Sequence, residues 1–213
     1  MNGTYTASGS SDPQTSAQLP SKGIVRPDPD ADILLALARG QSRALGILMD
    51  RHLLSIKSVA WHMLGDEMMA EDIAQEVFLR AWKQAPNWQS GQAKFSTWLY
   101  RVAKNLCYDR LRKKQEVYPE VLPDMLDEAP EAAQSLEASQ NHNTQKTKIE
   151  HAMKNLPKRQ RMAIVLCHYR ELSQIEAADI MEISVRAYES LLARGRKNLK
   201  QQLLPHKSEL LEI

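Results

Sequence analysis

KFSTWLYRVAKNLCYDRLRKK, residues 94–114, reads as a single helix with aromatic groups at its start and cations at its end. Phe95, Trp98, Leu99, Val102, Ala103 and Leu106 recur at helical spacing, which turns one stripe toward a core. Arg101, Lys104, Arg110, Arg112, Lys113 and Lys114 carry positive charge along the remainder. Trp98, Tyr100 and Tyr108 set flat apolar faces beside those charges. Cations hold phosphates, and aromatic rings stack on unpaired bases. A helix with both suits a nucleic-acid strand whose bases have left the duplex. The same pattern also describes an amphipathic core helix with a solvated basic face.

A second stretch favours nucleic acid. In ELSQIEAADIMEISVRAYESLLARGRKNLKQQL, Ser173 and Glu176 form a capping box that opens a helix. Ile175, Ala178 and Ile180 are expected to form its apolar side. Ile183 and Ser184 make a short turn, with Ser184 as N-cap of the next helix. That helix turns Val185, Tyr188, Leu191, Leu192 and Leu199 inward. Its outer face presents Arg186, Glu189, Ser190, Arg194, Arg196 and Lys197. Two short helices joined by a tight turn, the second basic, fit a helix-turn-helix. An ordinary helical hairpin on a bundle surface is the plainer alternative.

Composition sets the bounds. The 213 residues make one or two domains, and 43% hydrophobic residues support modest helical cores. The net charge is only +2, so the cations act through local fields. Cys107 and Cys167 are far apart on apolar helix faces and read as buried free thiols. Cys167-His168 has no second ligand pair nearby, so no metal site is expected, and no cofactor. No apolar run is long enough to span a membrane, and no secretory signal is present; a cytoplasmic protein is expected.

Residues 1–29 are rich in Ser, Thr, Pro and Gly and are expected to be a disordered tail. Residues 31–39 predict a short helix ending at Gly40. Ser42 is expected to cap a longer helix through Leu64, closed by Gly65. Asp66 opens a third, stopped by Pro86. The loop PNWQSGQA then leads to the basic aromatic helix. These four helices make a compact unit over 30–114. Residues 115–145 are acidic and hold Pro119, Pro123 and Pro130, as a linker does. A second helical unit covers 146–204, and a short tail covers 205–213. The fold class expected is all-α: two small helical domains joined by a flexible acidic linker.

The order AEDIAQEVFLRAW, KFSTWLYRVAKN, acidic linker, LPKRQRMAIVL and helix-turn-helix resembles bacterial group IV sigma factors, the extracytoplasmic-function class with domains two and four only. The resemblance covers about residues 30–204. It implies that residues 30–114 are sigma domain two and residues 146–204 sigma domain four. It also implies that Glu71, Asp72, Gln75, Glu76 and Arg80 dock on the coiled coil of the polymerase β′ subunit, while Ile73, Val77, Phe78 and Ala81 pack inward. The β flap of core polymerase is a further implied contact.

For the minus-ten element, the resemblance implies Trp98, Arg101, Lys104 and Asn105 on the melting helix, with Tyr108 and Arg112 further along it. Asn105 has donor and acceptor groups suited to an extruded base edge. The loop from Asn87 to Ala93 resembles the family's specificity loop, with Trp88, Gln89, Ser90 and Gln92 as a pocket for a flipped base. Trp98 suits a core position equally well. For the minus-thirty-five duplex, the contacts implied are Ser184, Arg186, Glu189, Ser190, Arg194, Arg196 and Lys197. Here AYESLLARGR departs from the family's TVRSRLxRAR-like helix: Glu189 and Leu191 stand where cations are frequent. Gly195 in place of Ala costs helix stability of roughly 1 kcal/mol. The linker resembles the family segment that threads the polymerase channels.

The expected function is therefore a sigma factor. It binds core RNA polymerase, directs it to promoters and helps open the DNA. It is not itself an enzyme, since no acid, base or ligand constellation has the required spacing. An anti-sigma factor wedged between the two domains is the further partner implied. The alternative is a stand-alone helix-turn-helix regulator that binds promoter DNA without polymerase.

Overall fold

The computed structural model describes residues 28–89, 94–117, 142–168 and 172–206, helices joined by short turns and irregular connections. Helices α1 (Ala31–Ala38), α2 (Arg43–Leu64), α3 (Glu67–Gln84) and α4 (Phe95–Val117) form an N-terminal block, with a 3-10 turn at Ala85–Asn87. Helices α5 (His142–Lys154), α6 (Lys158–His168), α7 (Gln174–Met181) and α8 (Val185–Leu203) form a C-terminal block, closed by a 3-10 turn at Leu204–His206. The expected tail, apart from Asp28 and Pro29, lies outside the described residues. So do linker residues 118–141, loop residues Ser90 to Ala93, and residues 207–213.

Local chemistry sets most boundaries. Gly40 (φ 78°) and Gly65 (φ 66°) end α1 and α2 in left-handed conformations. The Asp66 carboxylate accepts from the Met69 amide at 2.9 Å and starts α3. Ser42 does not cap α2 with its hydroxyl, contrary to expectation. The chain enters α2 through a tight turn in which the Gln41 and Ser42 carbonyls already take the Ala44 and Leu45 amides. Asp28 does unexpected work: its carboxylate accepts from the Phe95 amide at 2.7 Å, satisfying a donor at the α4 start.

In the N-terminal block, Leu48, Ile56, Val59 and Met63 of α2 pack against Ile73, Val77, Phe78 and Ala81 of α3. Phe95, Leu99, Ala103 and Cys107 of α4 complete that core. In the C-terminal block, Tyr188 is buried and donates its hydroxyl to the Ala163 carbonyl at 3.1 Å, pinning α8 to α6. Gly195 lies where a Cβ would come within 3.1–3.3 Å of Ile164 and Gln160. The glycine that weakens α8 as an isolated helix is thus what lets α8 approach α6 closely.

Candidate nucleic-acid interface

Helix α4 does present aromatic groups first and cations after, with one correction. Tyr100 is buried, so it offers no face to a base. Trp98 is half-buried and stacks on Phe95 at a centroid distance of 5.2 Å; Trp88 meets Phe95 edge-on at 4.9 Å. Both tryptophans therefore belong to an aromatic cluster at the α4 start, partly core and partly surface. The Trp88 indole nitrogen is buried with no hydrogen-bond partner among the described residues. Gln89 is exposed beside it, and Ser90 lies outside the described residues. Asn105 is exposed, as a group that reads a base must be.

Three cations in the first half of α4 and just before it are occupied by protein. Lys94 pairs with Glu176 at 2.7 Å, Arg101 with Asp179 at 2.9 Å, and Lys104 with Glu182 at 2.6 Å. All three acids come from α7 or its C-cap, in the other block. The Lys104 side chain is only 5% exposed. Tyr108 is half-buried and its hydroxyl has no partner among the described residues. Burial pushes that phenol up to about 12, with Arg159 and Arg161 pulling the other way. Arg112 is exposed and pairs with Asp109 at 3.1 Å, one turn back on its own helix. Sequence reasoning missed the α7 acids, although Glu176, Asp179 and Glu182 at three-residue spacing mark one helix face.

The two blocks also meet at the end of α2. Arg161 is buried and donates to the Met63 carbonyl of α2 at 2.7 Å, and to the Lys154 and Leu156 carbonyls. Those carbonyls lie at helix ends, where no intrahelical donor reaches them. A Cβ at Gly65 would collide with the Lys154 side chain. The blocks thus touch directly, at α2 and between α4 and α7.

On α3, Asp72, Gln75, Glu76 and Arg80 line an open groove against α4, together with Leu79 and Arg110. Arg80 pairs with Glu76 at 2.7 Å, while Asp72 stands 4.0 Å from Arg110. Glu71 departs from this group. It turns to α2 and pairs with Lys57 at 2.7 Å, which holds that ammonium above its ordinary value. Ile73, Val77, Phe78 and Ala81 are buried as expected.

The helix-turn-helix has both of its caps. The Ser173 hydroxyl accepts from Glu176 N, and the Glu176 carboxylate accepts from Ser173 N. The Ser184 hydroxyl accepts from Ala187 N at 3.2 Å and is spent on the cap. Arg186, Glu189, Ser190, Arg194 and Lys197 are exposed along α8. Arg196 is exposed too, but it leans back to Cys167 on α6, its guanidinium 3.1 Å from the sulfur. Two expectations fail here. Ile175 is 70% exposed, and the buried side of α7 is formed by Ala177, Ala178, Ile180 and Met181 instead. Cys167 is exposed, while Cys107 is buried, its thiol pushed up to about 12; both are free.

Residues 48–117 match the sigma-70 region 2 family, and residues 146–199 match sigma-70 region 4. The chain is 36% identical over 181 residues to the ECF RNA polymerase sigma factor SigW of Bacillus subtilis, covering 78% of this chain and 91% of that one. It is 32% identical over 159 residues to the RNA polymerase sigma factor SigZ of the same organism, covering 73% and 85%. This chain belongs to the ECF sigma factors. It is a polymerase-binding promoter-specificity factor of the sigma-70 kind, and the reading as a stand-alone regulator is not favoured. Among solved structures, the fold is similar to CnrH in complex with the cytosolic domain of CnrY, with a TM-score of 0.62, 24% identity and coverage of 82% and 96%. It is also similar to RpoE of Bartonella quintana in complex with the anti-sigma factor NepR, with a TM-score of 0.54, 22% identity and coverage of 73% and 96%. No helix among the described residues is long and apolar enough to cross a membrane.

Proposed function

We propose that this sigma factor divides its work among three helices. Asp72, Gln75, Glu76 and Arg80 dock α3 on a helical element of core polymerase, with Leu79 as the apolar contact in the groove. Carboxylates and amides around an exposed leucine suit a partner with a basic rim, giving orientation and on-rate. Helix α4 holds the melted minus-ten strand: Arg101 and Lys104 take phosphates, Asn105 reads a base edge, and the Trp88–Trp98 cluster borders the base-binding loop. Helix α8 reads the minus-thirty-five duplex through Arg186, Ser190, Arg194 and Lys197. Glu189 accepts from a cytosine amino group or selects against other bases.

The observation that carries this reading is the cation row of α4 beside exposed Asn105 and the aromatic cluster. Opening base pairs costs about 1.4 kcal/mol per stacked step. Stacking and phosphate contacts to the freed strand offset that cost, so opening needs no separate energy source. An anti-sigma factor is proposed as a regulator, as in the CnrY and NepR complexes of the two similar folds. Since the blocks already touch, it embraces the closed pair or displaces α7. Action on polymerase and promoter places the protein in the cytoplasm. Transcription from genomic fragments by purified core polymerase, with and without the chain, tests the proposal. New start sites that require the chain are expected; specific duplex binding without any effect on core polymerase would overturn it.

A further inference from the structure

Resting on the reading of α4 as the strand-holding helix, we propose that Glu176, Asp179 and Glu182 act as an internal phosphate mimic that keeps the free chain's own strand face shut. Glu176 and Asp179 lie three residues apart on one face of α7, their Cβ atoms about 5–6 Å apart, and Glu182 follows as its left-handed C-cap. Each meets a different cation, Lys94 just before α4 and Arg101 and Lys104 on it. Arg101 also donates to the Asp179 carbonyl at 3.3 Å, so the lock includes backbone. A strand cannot reach Lys104 without displacing Glu182, because that ammonium is buried beneath the pair.

Glu182 is the member whose placement is hardest to explain otherwise. It is the only non-glycine residue with positive φ among the described residues, at 56°. A left-handed helix cap favours glycine, because a Cβ there crowds the carbonyl. The chain instead holds a carboxylate in that conformation and aims it at Lys104. The Lys104 pair holds the Glu182 carboxyl below its ordinary value, and Glu176 is likewise lowered, its Lys94 and Ser173 partners outweighing burial.

The closed form is reversible. Asp179 and Glu182 are half-exposed, so salt and competing phosphates weaken their pairs. Closure also leaves the Tyr108 hydroxyl buried without a partner among the described residues. The Arg161 bond to Met63 forms a second contact between the blocks. Charge-pair loss therefore weakens one of these two contacts between the blocks and leaves the Arg161 contact in place.

Glu182→Gly combined with Asp179→Ala tests the lock in the full chain. Glu176 is left alone because it belongs to the capping box. Glycine at position 182 relieves the left-handed strain, so the melting temperature should hold or rise. In low salt, small-angle scattering should show a larger radius of gyration. A labelled oligothymidylate strand should bind about fivefold more tightly or better, the ratio of competent fractions. Unchanged scattering and unchanged affinity would overturn the proposal. Expansion with unchanged affinity would also overturn it, since the face was then never masked. In that case Lys104→Ala in the opened chain separates the two ideas. A further loss of strand binding keeps the strand reading, and no strand binding by the opened chain removes it.

Discussion

Arg161 offers the sharpest test of how the two blocks are held. Its guanidinium serves three carbonyls, at Met63, Lys154 and Leu156, two on α5 and the turn after it and one on α2. Burial pulls the group well below its ordinary value, to about 10, with Tyr108 opposing. The guanidinium thus carries a desolvation cost, typically several kcal/mol for a buried ion, that its hydrogen bonds must offset. Each charge-assisted bond returns about 1.5–3 kcal/mol against leaving its buried acceptor bare. Arg161→Met keeps much of the volume and recovers the desolvation cost, but abandons three acceptors. The net loss of stability should be about 2–5 kcal/mol. Arg161→Lys keeps the buried charge, and a single ammonium cannot span three carbonyls. It should therefore be at least as damaging as Met, although it is the conservative change. Urea denaturation of the full chain, followed by helical circular dichroism, measures both. A loss under about 0.5 kcal/mol for Met, or near-wild-type stability for Lys, would show that the three bonds do not carry the load assigned to them.

The remaining expectations concern function and pH. Asp72→Arg with Gln75→Ala should weaken binding to core polymerase while leaving circular dichroism unchanged; wild-type affinity in a titration would remove the α3 groove as the docking site. Arg194→Ala should lower the slope of duplex affinity against salt by about one unit. Arg196→Ala should lower it by less than one unit, because that guanidinium leans on Cys167, and a full-unit drop would contradict the geometry. Asn105→Ala should cost about 1–3 kcal/mol in promoter opening and little in docking. Permanganate footprinting that shows normal opening would leave Asn105 a bystander. Asp30 is buried, which raises its carboxyl, but bonds from His52 and Arg51 outweigh this and leave it below the ordinary value. Its contribution is intact above the unfolded carboxyl value and lost as pH falls through the lower folded one. Asp30→Asn should therefore reduce stability at neutral pH and flatten its decline in acid below about pH 4. A parallel decline in the variant would contradict this.

The helices and most of their caps, Ser42 excepted, were legible in the sequence, because they are set within a few residues. Asp66, the Ser173–Glu176 box, Ser184 and Gly65 each settle a helix end through a bond to a near neighbour. The inward stripes of α3, α4 and α8 follow from 3.6-residue spacing, and the family follows from two motif blocks in order. Tertiary structure decided what distance along the chain conceals. It buried Tyr100, exposed Ile175 and Cys167, and turned Glu71 toward Lys57. It brought Asp28 to the start of α4 across 67 residues. Above all it set the α7 acids on the α4 cations, joining residues 78 apart. Local patterns record which side of a helix is polar. Which charges meet depends on how rigid helices dock, and that is fixed by packing across the whole molecule.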